Sequence, residues 1–362
     1  MAMVKFGNIV RDVQINVDRS NNPYKHYVAG DHMDSEELTI HRHGDFATDD
    51  VGPAFTRIFK PGQILYGSRR TYLKKIAVAD FSGICANTTF VLESKDETVF
   101  LTRLLPFIML SESFTRWSIA HSKGSTNPYV LFSDLADYEF DLPPIEEQRM
   151  LADKLWATYR LKESYKKLLT ATQEMVKSQF IEMFGDKGYP LAMIKSFADV
   201  STGGTPSKAH PEYWNGNKPW VSAEDMKSKY VYDTCEKVTD AGFATCKIIP
   251  MDTLMYVCRG SIGVMAINKI ECATNQSICR ATCHDNVCNV EFLYHALMYK
   301  RDNIKKMGTG TSFKSLNQTT FSELEIELPP YDEQMKFVEI ANQADKSEFE
   351  LRKSIDLTDR KS

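Results

Sequence analysis

Leu328-Pro329-Pro330-Tyr331 is the stretch of this chain that looks most like catalytic machinery. Amino-methyltransferases place Asn or Asp before Pro-Pro-Tyr, because that polar side chain and the carbonyl beside it hold the target amine. Leucine cannot do this, and a second copy, Leu142-Pro143-Pro144-Ile145, lacks even the tyrosine. No glycine-rich loop after a strand offers a seat for S-adenosylmethionine. A Gly-x-x-x-x-Gly-Lys-Ser/Thr phosphate loop is missing, and so is an Asp…Glu-x-Lys nuclease set. Cys279, Cys283, His284 and Cys288 are the candidates for zinc. Structural zinc sites join two closely spaced Cys or His pairs, and nothing completes a second pair here. The expectation is no catalytic residue and no metal.

What remains is charge and hydrogen-bond donors beside strands. Arg69, Arg70, Lys74 and Lys75 follow the strand candidate Gln63–Tyr66, and Arg259 holds the matching place after Leu254–Val257. The loop Lys123-Gly124-Ser125-Thr126-Asn127 has a counterpart in Thr309-Gly310-Thr311-Ser312-Phe313-Lys314, and Lys208 adds a further cation. Arginine can reach O6 and N7 of guanine with two parallel donors, whereas a phosphate contact needs only a lysine, a hydroxyl or a backbone N–H. The plain alternative is a solvated charged face. Trp214 and Trp220 read as core residues, and Gly203 and Gly204 as turn glycines.

The elements that must position these groups come in two copies. Leu142-Pro143-Pro144-Ile145-Glu146-Glu147-Gln148 and Leu328-Pro329-Pro330-Tyr331-Asp332-Glu333-Gln334 lie 186 residues apart, and each opens a long helical pattern. Proline presets φ for a helix start, and acids in the first turn suit the positive end of the helix dipole. Between the copies, Trp220-Val221 lines up with Tyr27-Val28, and Cys272-Ala273 with Cys85-Ala86. The chain is a duplication. Further strands are expected at Tyr27–Ala29, Ile76–Ala79 and Thr89–Leu92, and one helix from Phe100 to Ile119. From Ile145 to Phe184 the seam Leu151, Leu155, Tyr165, Leu169 and Val176 belongs to a ladder with alternating steps of 4 and 3, the heptad spacing of a coiled coil. A second helix, Glu333–Thr358, has the seam Phe337, Ala341, Leu351 and Ile355 and is the natural antiparallel partner.

The bulk numbers fit two domains of a soluble protein. The 362 residues are 43% hydrophobic and 25% charged, with a net charge of −4. That balance gives no global basic field, although only one face needs to be positive to meet nucleic acid. No apolar run approaches the roughly 20 residues of a membrane span. The start carries no signal-peptide pattern. Seven of the eight cysteines fall after residue 230, which suits reduced thiols in the cytoplasm better than a disulfide framework.

Ser201-Thr202-Gly203-Gly204-Thr205-Pro206-Ser207, followed by Tyr213-Trp214-Asn215-Gly216 and Lys218-Pro219-Trp220-Val221, resembles the opening of a target recognition domain. The two Leu-Pro-Pro stretches and the helix end Met183-Phe184-Gly185-Asp186 extend the resemblance over nearly the whole chain, to the specificity subunits of type I restriction–modification systems. The first unit departs from it, with Asp18-Arg19-Ser20-Asn21-Asn22-Pro23 in place of the Gly-Gly-Thr-Pro-Ser loop. The resemblance implies an α/β (α+β) chain of two target recognition domains, 1–142 and 186–328, separated by spacer helices at 143–185 and 329–362. It further implies a non-catalytic subunit that reads a split site on double-stranded DNA. Two methyltransferase subunits would dock on the spacer helices and bring S-adenosylmethionine, and restriction (translocase) subunits would join them. The alternative is a protein-interaction scaffold whose duplicated domains have lost DNA reading.

Overall fold

The computed structural model describes residues 2–18, 21–302, 304 and 316–359. The chain divides into two compact units, with the boundary between Leu161 and Lys162.

Unit 1 opens with β1 (Ala2–Lys5), α1 (Phe6–Ile9) and β2 (Val10–Asp12). Six strands follow: β3 (His26–Val28), β4 (Gly44–Asp45), β5 (Phe55–Phe59), β6 (Ile64–Gly67), β7 (Ile76–Val78) and β8 (Gly83–Ala86). After β9 (Thr89–Ser94) come α2 (Leu105–Leu110), α3 (Glu112–Ala120), α4 (Phe132–Ala136) and β10 (Glu139–Leu142). The strands make an antiparallel sheet β2-β9-β6-β7, a sheet β4-β3-β8-β5, and a ribbon β1-β10. Phe6, Ile64, Tyr66, Leu92, Phe100 and Phe114 lie in one core cluster, and Val28, Phe59, Leu65 and Val91 in another. Consecutive residues of β6 and β9 therefore serve different clusters, as the pleat of a sheet buried on both faces requires.

The single helix expected over Phe100–Ile119 is broken. Ser111 leaves the helical region at ψ 150°, and its hydroxyl accepts from the Phe114 N–H to start α3. Serine competes for backbone donors in this way, so the apolar spacing was right and its continuity was not.

α5 runs from Ile145 to Phe184, 40 residues, as the heptad ladder predicts. At its end the Gly185 N–H donates to Ile181 O, and Asp186 and Gly188 take φ of 52° and 73°. A Cβ on Gly185 would stand 2.7 Å from the Ile181 carbonyl oxygen, so glycine is needed where the helix stops.

Unit 2 repeats the plan with β11 (Leu191–Met193), β12 (Ala198–Thr202), β13 (Trp214–Val221), β14 (Tyr230–Val231), β15 (Lys237–Val238) and α6 (Asp240–Ala244). β16 (Leu254–Val257), β17 (Met265–Asn268), β18 (Ala273–Thr274), β19 (Ile278–Cys283) and α7 (Val290–Tyr299) come next. α8 (Gln318–Ser322), β20 (Glu325–Glu327) and α9 (Tyr331–Asp359) complete it. Its sheets are β12-β19-β16-β17-β14, β15-β13-β18 and the ribbon β11-β20. Strand for strand, β2-β9-β6-β7 returns as β12-β19-β16-β17, and the parallel pair β3/β8 as β13/β18.

Register corrects one alignment. Tyr27 lies opposite Ile84, and Trp220 opposite Ala273, so Cys85 corresponds to Thr274 and not to Cys272. The two loops before these strands differ in length, which the cysteine match concealed.

Each unit fastens its helix to the sheet edge. In unit 1 the Tyr159 hydroxyl accepts from the Leu38 and Thr39 N–H groups at 2.9 and 3.0 Å. In unit 2 the residue 186 positions later, Asp345, receives Lys229 Nζ at 2.8 Å and the Tyr230 hydroxyl at 2.5 Å. Glu291 and His295 of α7 close this network from the other side, Glu291 at 2.9 Å from Lys229. α9 also packs antiparallel to the later part of α5: Phe180 and Phe184 meet Phe337, while Gln173 reaches Glu348.

The glutamines of the two Pro-Pro stretches do matched structural work. Gln148 and Gln334 are fully buried. Gln148 accepts from the Leu101 N–H and donates to the Val99 and Pro143 carbonyls; Gln334 accepts from the Asn289 N–H and donates to Val287 and Pro329. Each therefore ties a helix entry to the loop that leads into an earlier helical segment, before α2 in unit 1 and before α7 in unit 2.

Candidate nucleic-acid interface

In unit 1 hydrogen bonds just beyond the paired ends of β6 and β9 gather the predicted loop residues. The Ser68 N–H donates to Thr88 O, Val130 N–H to Ser68 O, and Arg70 N–H to Pro128 O. Lys123 and Tyr129 exchange two backbone bonds, which closes the loop Gly124-Ser125-Thr126-Asn127-Pro128 directly beside Arg69 and Arg70. Arg69 stands over the Tyr129 ring. Ser125, Thr126 and Asn127 are exposed on the same loop.

The cations are not equivalent. Lys74 is held by Glu36 at 2.7 Å, Lys75 donates to the Gly30 carbonyl, and Lys123 is held by Asp134 at 2.9 Å. The Lys123 ammonium in turn keeps the Asp134 carboxyl below its ordinary range. Arg69 and Arg70 have no acidic partner among the described residues and are exposed. The structure thus sorts one predicted cluster into two guanidinium groups open to an external anion and three ammonium groups already engaged.

Unit 2 rebuilds this edge. Cys258 N–H donates to Ser277 O and Leu316 N–H to Cys258 O, the same two bonds that flank Ser68. Arg259 therefore occupies the place of Arg69, and it too is exposed without an acidic partner among the described residues. The rest of the cluster does not recur: Gly260 stands where Arg70 does, and Gly263 where Lys74 does. Thr309, Thr311, Ser312 and Lys314 lie outside the described residues. Lys208 sits 5.3 Å from the Trp214 ring centroid, a cation–π contact that leaves its charge at the surface.

Gly203 has a different reason from the one expected. A Cβ there would lie 2.1 Å from the Thr274 carbonyl oxygen and 2.2 Å from that of Asn275. It is a close-approach glycine that lets the loop lie on β18, and Gly204 N–H then donates to Thr274 O. Trp220 is buried, its indole N–H on the Gly204 carbonyl, with Trp214 edge-on against it.

Two further polar residues stand at this edge. Asn87 and Gln276 occupy one register position, immediately before Thr88 and Ser277, and both are exposed beside the arginines. An amide with a donor and an acceptor can pair with an adenine edge, although the Gln276 oxygen already accepts from the Thr205 hydroxyl. The Asn-Thr and Asn-Gln runs after the repeated cysteines were the available signal, obscured by the two-residue slip.

Along the helices, Leu151 is exposed, and Ala152, Leu155, Trp156 and Tyr159 face the unit 1 core instead. Tyr165, Leu169, Leu351 and Ile355 are half-buried, while Val176, Phe337 and Ala341 are buried in the unit 2 core. Burial continues through Phe180 and Phe184 rather than along the heptad ladder. A straight helix of 3.6 residues per turn drifts away from a 3.5 repeat. Of the zinc candidates, Cys279 and Cys288 are buried among apolar side chains and His284 pairs with Asp199.

Two tandem units with one strand plan, each carrying an exposed arginine at the same register position and each continued by a long helix, define a duplicated α/β architecture. The chain belongs to the type I restriction modification DNA specificity domain family, whose model matches residues 25–171 and 189–357. It is 30% identical over 166 residues to the type I restriction enzyme MjaIX specificity subunit of Methanocaldococcus jannaschii. It is 31% identical over 152 residues to the EcoR124I/EcoR124II specificity subunit of Escherichia coli. These matches span 44% and 40% of this chain and only 38% and 37% of those relatives. The type I S subunit crystal structure from M. genitalium superposes with a TM-score of 0.65 at 15% identity, covering 99% of this chain and 92% of that one. A chain from a structure of type I R-M complex assembly gives 0.56 at 17% identity, covering 99% and 94%. Both likenesses concern the fold. No helix among the described residues is long and apolar enough to cross a membrane.

Proposed function

We propose that this chain is the DNA-reading subunit of a type I restriction–modification complex, with one half of a bipartite target read by each unit. The observation that carries the reading is the recurrence of an exposed arginine, Arg69 and Arg259, at the same register position of both repeats. In this reading the chain does no chemistry itself. Two methyltransferase subunits dock along α5 and α9 and hold the S-adenosylmethionine; restriction subunits join that complex, in the cytoplasm. The adenine to be methylated is flipped into the partner's pocket. Spacing between half-sites is set by the protein that carries the two readers. No observation favours the scaffold alternative.

The test maps methylated adenines genome-wide in cells that express this chain with its methyltransferase partner. A second strain carries residues 162–358 exchanged for the matching stretch of a related chain. A split motif of which only one half changes supports two readers. A continuous motif, unaltered by the exchange, overturns the reading.

A further inference from the structure

Three residues other than glycine in unit 1, Glu36, Arg70 and Lys74, take left-handed backbone angles, and Arg70 is the informative one. It has φ 51° and ψ 55°, a region that residues with a Cβ rarely adopt. Unit 2 places Gly260, φ 77°, at the equivalent point of the same turn, where glycine suffers no such penalty. The turn itself therefore does not need an arginine; it is better served by glycine. The Arg70 N–H is fixed on Pro128 O at 2.7 Å, so the residue is locked against the loop Gly124–Pro128. Its guanidinium is exposed and has no acidic partner among the described residues, while Lys74, Lys75 and Lys123 around it are all engaged internally. Beside it are Arg69 and the exposed hydroxyls of Ser125 and Thr126.

We propose that Arg70, with Arg69 and the Ser125–Thr126 hydroxyls, forms a clamp for a backbone phosphate of duplex DNA, and that the Arg70 arm of it has no counterpart at Gly260 of unit 2. Both units carry the recurrent arginine, and in unit 1 Arg70 adds a phosphate contact that conveys no base preference. The proposal rests on the DNA-reading function above, and its test separates the two. A disfavoured backbone at a position where glycine would serve points to a role for the side chain. Lys74, equally left-handed, has Glu36 as its side-chain partner, whereas Arg70 has no acidic partner among the described residues.

A phosphate contact acts on any sequence, so the full chain can be titrated with a random-sequence duplex over a range of salt concentrations. Each phosphate neutralised contributes about −0.9 to the slope of log affinity against log salt. Arg70→Gly is expected to make the slope shallower by about 0.9 and to leave the melting temperature unchanged or raised, since the turn is relieved; Arg70→Lys, which keeps the charge, should retain most of the slope. Arg69→Ala and Arg259→Ala are measured in parallel. If they weaken binding and Arg70→Gly does not change the slope, the clamp is overturned and the DNA reading stands. If none of the three alters binding to DNA, both fall. A lowered melting temperature for Arg70→Gly would also count against the proposal, because the arginine would then be supporting the fold.

Discussion

Replacing Gln334 with methionine keeps the length of the side chain and removes every hydrogen bond it makes. Three backbone groups lose their partner: the Asn289 N–H and the carbonyls of Val287 and Pro329, at 2.9, 3.0 and 2.9 Å. A buried backbone group left unpaired costs about 1–3 kcal/mol, and the thioether returns part of this as apolar contact, so a net loss of about 3 kcal/mol is expected. For a unit of this size each kcal/mol moves the melting point by about 2–4 °C, so unit 2 should melt about 6–12 °C lower. Gln334→Glu should be worse at neutral pH, because a carboxylate would face two carbonyl oxygens. Its stability should recover in acid, where the carboxyl is protonated and can donate again. The equivalent Gln148→Met should lower the transition of unit 1 instead. Calorimetry on the full chain resolves these changes. A shift under about 1 °C for Gln334→Met would show that the glutamine does not hold the helix entry, and would refute the reasoning for both copies.

His295 gives a pH dependence. Burial first, then the nearby Lys229 charge, pushes its pKa down to about 3. The unfolded chain binds this proton near pH 6.5 and the folded one does not, so stability is full above that pH and falls as the pH drops toward 3. His295→Gln should flatten that part of a stability–pH curve measured by urea unfolding, and an unchanged curve would remove His295 as its source. Tyr159→Phe strips the acceptor from two backbone N–H groups and should cost unit 1 about 1–2 kcal/mol in the same assay. Gly203→Ala puts a methyl group against two carbonyl oxygens of the β18 loop; thermal melting should fall by several degrees, whereas Gly204→Ala, with nothing within 4 Å of its Cβ, should be nearly silent.

Local signals carried much of the architecture. α5 has the predicted ends, Ile145 and Phe184, because a Pro-Pro entry, a long apolar ladder and a glycine stop all act within one segment. The duplication was legible for a similar reason, since the Leu-Pro-Pro stretches and the helices after them are contiguous in sequence. What escaped was set by contacts between distant segments. Whether Lys74 is free depends on Glu36, and Lys123 on Asp134. The slip that paired Cys85 with Cys272 could be corrected only by strand register. Ser111 broke a helix whose apolar spacing gave no warning, because a hydroxyl's choice between solvent and the Phe114 N–H is decided by the chain's path. The candidate interface was legible as a cluster of cations, and the structure distinguishes the arginines from the lysines.

The dividing point of the chain lies inside α5, after Leu161, and not at the glycines that end it. Val176, Phe180 and Phe184 fill the core of unit 2, and Tyr159 secures unit 1. For a chimaera that exchanges one unit for that of a related chain, this makes a junction between Leu161 and Val176 favourable. A junction there hands each unit a helix half already fitted to its own sheet. A junction at Gly185–Pro190, where the sequence invites a cut, would leave three aromatic and aliphatic plugs behind with the wrong unit.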